Sequence, residues 1–154
     1  MASKEMLSKE EIEALFPGLA GGFEITSNSD DSYNCIAWSV NDTRRSWWPW
    51  PSRFVYWPPG APREETVQAF LKMYEMLLFE PCASADREEG YDKIALYALN
   101  NVPTHAARLW KEDSHWSSKL GDENDIAHHS LESIEGLEYG RVVQIMRRRR
   151  TGTR

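Results

Sequence analysis

The chain has 154 residues and a formal charge of −6, with 41% hydrophobic and 12% aromatic residues. That length and apolar content suit one domain with a real core and exclude wholesale disorder. Up to position 146 there are 13 basic and 24 acidic residues, so the body is acidic and nucleic acid is not an expected partner of the fold itself.

The first residues, MASKEMLSKEE, lack the apolar stretch of a signal peptide. Ser8 followed by Glu11 is a capping-box pattern, and Ile12, Leu15 and Phe16 then follow at helical spacing. Pro17-Gly18 and Gly21-Gly22 end this helix, and residues 1–22 read as a helical lead-in. Phe23 to Thr26 reads as extended, and the polar loop from Asn28 to Ser32 delivers the chain to Tyr33-Asn34-Cys35. Ile36, Ala37, Trp38 and Val40 suit the first turns of a buried helix. Five prolines and four tryptophans between Arg44 and Pro62 forbid a regular helix and predict a long ordered loop. From Glu64 to Phe79 an apolar stripe of Val67, Phe70, Leu71, Tyr74, Leu77 and Leu78 predicts a helix that Pro81 stops. Strands follow at Lys93–Leu99, closed by a turn at Asn100-Asn101, then a hairpin of 104–110 and 115–119, and a last strand at 140–146. Helices first and a meandering sheet of about four or five strands afterwards is an α+β order. The arginines at 147–150 and 154 read as a basic, disordered tail (147–154) outside a single domain of residues 1–146, and they are the only segment suited to nucleic acid. No segment has the length of a membrane span, and the expected compartment is the cytoplasm, with signal-independent export left open.

Two cysteines, Cys35 and Cys82, form neither a disulfide framework nor a metal site of known spacing, and adjacent His128-His129 lacks the i, i+4 spacing of paired helical ligands. No metal and no cofactor is expected, and His115, His128 and His129 read as polar surface. A thiol is a nucleophile only as thiolate, which a helix start and a nearby imidazole favour. Cys35 has capping residues before it and a helix-compatible run behind it, so its N–H is also placed for an oxyanion. His105, opening a later strand, is the candidate base, and Ser117, Ser118 or Asp122 could orient its ring. The plain alternative for Cys35 is a small buried hydrophobe, and for His105 a structural histidine. Trp47, Trp48, Trp50 and Trp57 have two compatible readings: a substrate wall, or a flap packed over the sheet.

The segment Tyr33-Asn34-Cys35-Ile36-Ala37-Trp38 resembles the nucleophile segment of the papain-like, NlpC-type cysteine hydrolases. Ile94–Tyr97, Pro103–Arg108 and Trp116–Gly121 are similar to the histidine-bearing hairpin of that superfamily. From Tyr33 to Met146 the chain resembles more closely a bacterial family of that kind, marked by Asn-Cys-x-Ala-Trp, a Trp/Pro-rich loop, His-Ala-Ala-Arg and Ser-Lys-x-Gly. The resemblance implies a papain-like α+β fold, with a nucleophile-bearing helix packed on an antiparallel sheet beneath a Trp/Pro flap. It also implies a hydrolase or acyltransferase acting on an amide or ester. Cys35 would attack, His105 would carry the proton, Ser118 would take the third position, and Tyr33 and Asn34 would serve the oxyanion. Trp38 and the loop tryptophans would then line the substrate site. The third position in such enzymes is commonly His, Asn or Gln, a departure that opens a second expectation: a catalytically inactive module binding a protein or peptide through the Trp-rich loop. A toxin-like effector, or a domain modifying an intracellular protein, fits the absence of a leader by analogy alone.

Overall fold

The computed structural model describes residues 7–20, 22–27, 30–120 and 123–151. Helix α1 (Lys9–Leu15) starts where its capping box is: the Ser8 hydroxyl accepts from Glu11 N–H, and the Glu11 carboxylate accepts from Ser8 N–H. A 3-10 turn (Pro17–Leu19) leads to strand β1 (Phe23–Ile25). Helix α2 (Cys35–Ser39) is capped by Asn34, whose Oδ1 accepts from Ala37 N–H at 3.0 Å. Helix α3 (Val67–Met76) is shorter than its apolar stripe, because Thr66 caps it late and Leu77 already closes it. The remaining elements are β2 (Glu80–Cys82), β3 (Tyr91–Leu99), β4 (Val102–Leu109), β5 (Trp116–Lys119), β6 (Asp125–His128), a 3-10 turn (Leu131–Ile134) and β7 (Arg141–Arg149). No helix among the described residues is long and apolar enough to cross a membrane.

The architecture is α+β: one antiparallel sheet of seven strands, ordered β1-β6-β5-β4-β3-β7-β2, between two layers. The sheet exceeds the expected four or five strands because β1 and β2, three residues each, pair only by tertiary contact, and β6 reads as polar in sequence. β3 and β4 form a hairpin whose two-residue turn, Asn100-Asn101, has φ of 53° and 67°, the left-handed values that asparagine tolerates best after glycine. One face of the sheet, with Ile94, Leu96, Ala106 and Met146, buries α2, α3 and the tryptophan loop. The other face, with Ala95, Tyr97, Ala107 and Ile126, buries α1 and the two 3-10 turns. β3 is buried on both sides, which is why it reads as a continuous apolar run.

The arginine run is not a tail up to Arg149. β7 runs through Arg149, and the boundary drawn at 146 falls inside that strand. The acidic body explains this: Arg147 pairs with Glu80 at 2.8 Å and with Glu88, while Arg148 and Arg150 reach Asp92 at 3.7 and 2.8 Å.

Candidate functional site

Cys35 opens α2 and is buried, 7% exposed. Burial pushes its thiol from an ordinary 9.0 up to about 11, against weaker main-chain hydrogen bonds from Ala106, Ile36 and its own N–H. The β4 group that meets the sulfur is thus the Ala106 N–H. Ala106 shares a cluster with Cys35, Ile36 and Ala37, so its side chain points to the α2 layer.

His105 points the other way. Its cross-strand neighbour is Tyr97, a member of the opposite cluster, and its ring lies 5.4 Å from that of Tyr97. The Tyr139 ring stacks on it at 4.0 Å and 8°. Between Tyr97↔His105 and Ala98↔Pro103 the register skips Thr104, a bulge that re-aims this end of β4. Cys35 and His105 are therefore not joined: Ala106, the residue after His105, is the one that shares the Cys35 cluster, and no hydrogen bond links thiol and imidazole. The physical reason is strand alternation, which sends consecutive residues to opposite faces.

His105 instead joins a buried chain of hydrogen bonds. Its Nε2 lies 2.9 Å from Ser118 Oγ, Ser118 Oγ lies 2.8 Å from His128 Nε2, and His128 Nδ1 lies 2.9 Å from the Ser130 carbonyl. Both rings and Ser118 are fully buried. Burial is the main force that lowers both imidazoles, His105 well below the ordinary histidine value and His128 to about 4, so both are neutral at pH 7. Neutrality fixes the proton order. A carbonyl only accepts, so His128 carries its proton on Nδ1 and its Nε2 is bare. Ser118 must donate to that Nε2, and its oxygen then accepts from His105 Nε2–H. His105 Nδ1 is left as a bare lone pair, and it has no hydrogen-bond partner.

His128 was expected on polar surface; it is the buried end of this chain, while its neighbour His129 is exposed. The alternation in β6, with Ile126 and His128 on one face and Asp125 and Ala127 on the other, was the available signal. Ser117 lies on the α2 side of the sheet, where its Oγ accepts from Trp38 Nε1 at 3.1 Å, so it does not orient His105. Asp122 lies outside the described residues.

The expected oxyanion groups have other partners. Tyr33 donates its hydroxyl to Asp125 Oδ2 at 3.0 Å. Asn34 caps α2 and clasps the loop, taking Trp47 N–H at 3.0 Å and giving its amide to the Trp47 carbonyl at 2.8 Å. The tryptophans divide similarly. Trp38 is stacked on Tyr33 and covered by the Arg108 guanidinium at 3.5 Å, itself held by Asp113 at 3.0 Å. Trp47 and Trp57 are buried, donating to Asp42 and to the Pro62 carbonyl, and Trp48 packs edge-on against Phe70. Trp50 is the exposed one of these five, at 51%, and Phe54, which was not singled out, is 81% exposed. Among the described residues, no three of His, Cys, Asp and Glu gather where a metal could be held.

A consequence for reactivity follows. Moving a thiol from 9.0 to about 11 leaves about 100-fold less thiolate near neutral pH. In the native protein iodoacetamide is expected to alkylate the half-exposed Cys82 while Cys35 reacts about 100-fold more slowly, the gap closing in urea. Peptide mapping of labelled protein checks it.

Comparison with curated proteins and with solved structures finds no match for the chain. A family model does match, from the start of the sheet to the arginine run at residues 24–147, and the chain belongs to that family, described as a domain of unknown function (DUF7689).

Proposed function

We propose that this chain is a binding module, a papain-like arrangement without turnover that holds an acidic protein or peptide segment on its tryptophan loop. The observation that carries this reading is a pair of exposed rings, Trp50 and Phe54, on a loop whose other aromatics are locked. Trp47 and Trp57 are buried beneath, the main chains of Trp47 and Tyr56 bridge, and Trp50 itself is tied to Glu65 at 2.8 Å and to Arg63 at 3.0 Å. Such rings lose little freedom on binding, which is what makes tryptophan an effective anchor. The stretch 43–63 holds Arg44, Arg45, Arg53 and Arg63; Asp42 beside it pairs with Arg44 and Arg45 at 3.7 and 2.8 Å, while Arg53 and Arg63 have no carboxylate partner among the described residues, which leaves positive charge on this side of an acidic chain.

The test is a displayed peptide library panned on the wild-type protein and on a Trp50→Ala/Phe54→Ser double variant. Selected peptides are expected to be rich in Asp and Glu and to bind the variant about tenfold more weakly, with its melting curve unchanged. Peptides that bind both proteins alike would remove the loop from the reading.

A thiol-hydrolase reading has one observation in its favour. The bare Nδ1 of His105 belongs to the residue next to the one whose N–H meets the Cys35 sulfur. A rearrangement at the β4 bulge that joined them would give Cys35 a base, with Ser118 and His128 positioning it, for attack on an amide or ester. Native labelling at Cys35 as fast as at Cys82 would favour this reading over the binding one.

A further inference from the structure

A second surface of the chain carries the acidic and apolar groups that the tryptophan loop lacks. A hollow of about 590 Å³ opens there between the β3–β4 turn, the segment after the second 3-10 turn and the start of β7. Exposed Leu99 and Val143 line it, and exposed Val102 pairs with Leu99 across the hairpin. Leu137, 94% exposed, stands on the adjoining five-residue loop, which Gly136 and Gly140 close with reciprocal main-chain hydrogen bonds. Glu132 and Glu135 wall the hollow against one cation, Arg141, and Glu138 follows Leu137 on the loop. None of these four charges has an ion-pair partner among the described residues, and Glu135 accepts from the Val142 N–H at 3.0 Å. Three carboxylates against one guanidinium leave two negative charges over.

The tryptophan loop is the inverse of this surface. Phe54 stands out from it with the Arg53 guanidinium 5.4 Å from its ring. Over residues 42–65, Arg44, Arg45, Arg53 and Arg63 outnumber Asp42, Glu64 and Glu65 by one, and Glu65 is turned to the Trp50 indole. Of the nine large apolar side chains exposed among the described residues, six lie on these two surfaces. Trp50 and Phe54 belong to the cationic one, and Leu99, Val102, Leu137 and Val143 to the anionic one. Apolar exposure is thus concentrated where the charges are complementary, the pattern of a contact rather than of a scattered surface.

We propose that the acidic partner of the tryptophan loop is a second copy of this chain. Phe54 of one copy seats in the hollow of the next, between Leu99 and Val143, and Arg53 faces Glu132 and Glu135. This rests on the loop reading proposed above and names the partner for it. The two surfaces differ, so the contact runs head to tail. Its charged rim makes it weak and sensitive to salt.

Sedimentation velocity of the full chain between about 10 μM and about 1 mM decides it, with an expected Kd of about 100 μM. Raising salt from about 50 to about 500 mM should weaken association at least about threefold. Trp50→Ala/Phe54→Ser removes the loop surface, and Glu132→Lys/Val143→Lys removes the hollow. Both variants change only exposed side chains, and each alone should be monomeric with an unchanged melting curve. Mixed in equal amounts, they share one intact loop and one intact hollow and should form a heterodimer. A mixture that stays monomeric, or association that survives in either variant, overturns the proposal. A wild-type chain that stays monomeric while acidic peptides still bind its loop overturns this inference alone and makes the partner a foreign one. A monomeric chain whose loop selects no peptide overturns the loop reading as well.

Discussion

Lowering the pH from 7 to 4 is expected to remove about 3 kcal/mol of folding stability through His128 alone, with His105 adding to the loss. The sign follows from which state binds the proton. Unfolded, each histidine titrates near its ordinary 6.5; folded, His128 titrates near 4 and His105 well below 6.5. Between those values the unfolded chain holds more protons, so stability falls as pH falls, beginning near 6.5 and complete for His128 near 4. The hydrogen-bond chain says why protonation is resisted. A proton on His128 Nε2 would turn Ser118 around, so that Ser118 donates to His105 Nε2 and the proton of His105 moves to Nδ1, where nothing accepts it. The exposed His115 and His129 also oppose a charge on His128. Two carboxylates bear on the same experiment. Asp42, held near 2 by Trp47 and Arg45 against its own desolvation, acts only below its ordinary 3.8. Asp125, raised by burial, works in the opposite sense and offsets part of the loss. Urea melts at several pH values measure the slope, and His128→Asn, whose amide N–H can replace the bond to the Ser130 carbonyl, should be flatter between pH 6.5 and 4.5. Parallel slopes for variant and wild type would sink the assignment.

The same chain of residues marks how far sequence reasoning reaches. Features set by a few neighbouring residues were legible: the Ser8–Glu11 box, the polar segment capping α2, the Asn100-Asn101 turn, the apolar run of β3. Ser118 and His105 could be paired on paper because both lie on the hairpin, and they are hydrogen-bonded. What could not be read is which face of β4 each residue takes. A one-residue step exchanges His105 for Ala106 beside Cys35, and the bulge at Thr104 is invisible without the partner strand. β7 differs from its sequence expectation for a related reason. Four successive arginines look solvated in isolation, and only Glu80, Glu88 and Asp92, brought alongside by pairing, make them strand and ion-pair residues. His128 hid behind its neighbour: His128-His129 reads as a polar pair, yet alternation buries one ring and exposes the other.

Replacing Gly140 by alanine is expected to cost about 3 kcal/mol and to loosen His105, although the two residues do not touch. Gly140 has φ 75°, and a Cβ built there would lie 2.0 Å from the Ala98 carbonyl oxygen and 2.7 Å from its carbon. Both are main-chain atoms in the middle sheet, so no side chain can swing aside. Relief requires either β3 to shift at its bulge or the segment before Gly140 to lift. That segment is Tyr139, whose ring covers His105 and whose carbonyl accepts from Thr104 Oγ1 at 2.6 Å, beside the bulge itself. Close approach at one glycine thus holds the lid over the buried imidazole. Gly90→Ala separates strain from clash: its φ is 86°, but an added Cβ meets nothing within 4 Å. It should cost about 1 kcal/mol, the left-handed penalty alone. Denaturant melts of both variants, with proton spectra of the imidazoles, check the ordering; equal costs, or a His105 signal untouched in Gly140→Ala, would show that the contact with β3 does not set the position of Tyr139.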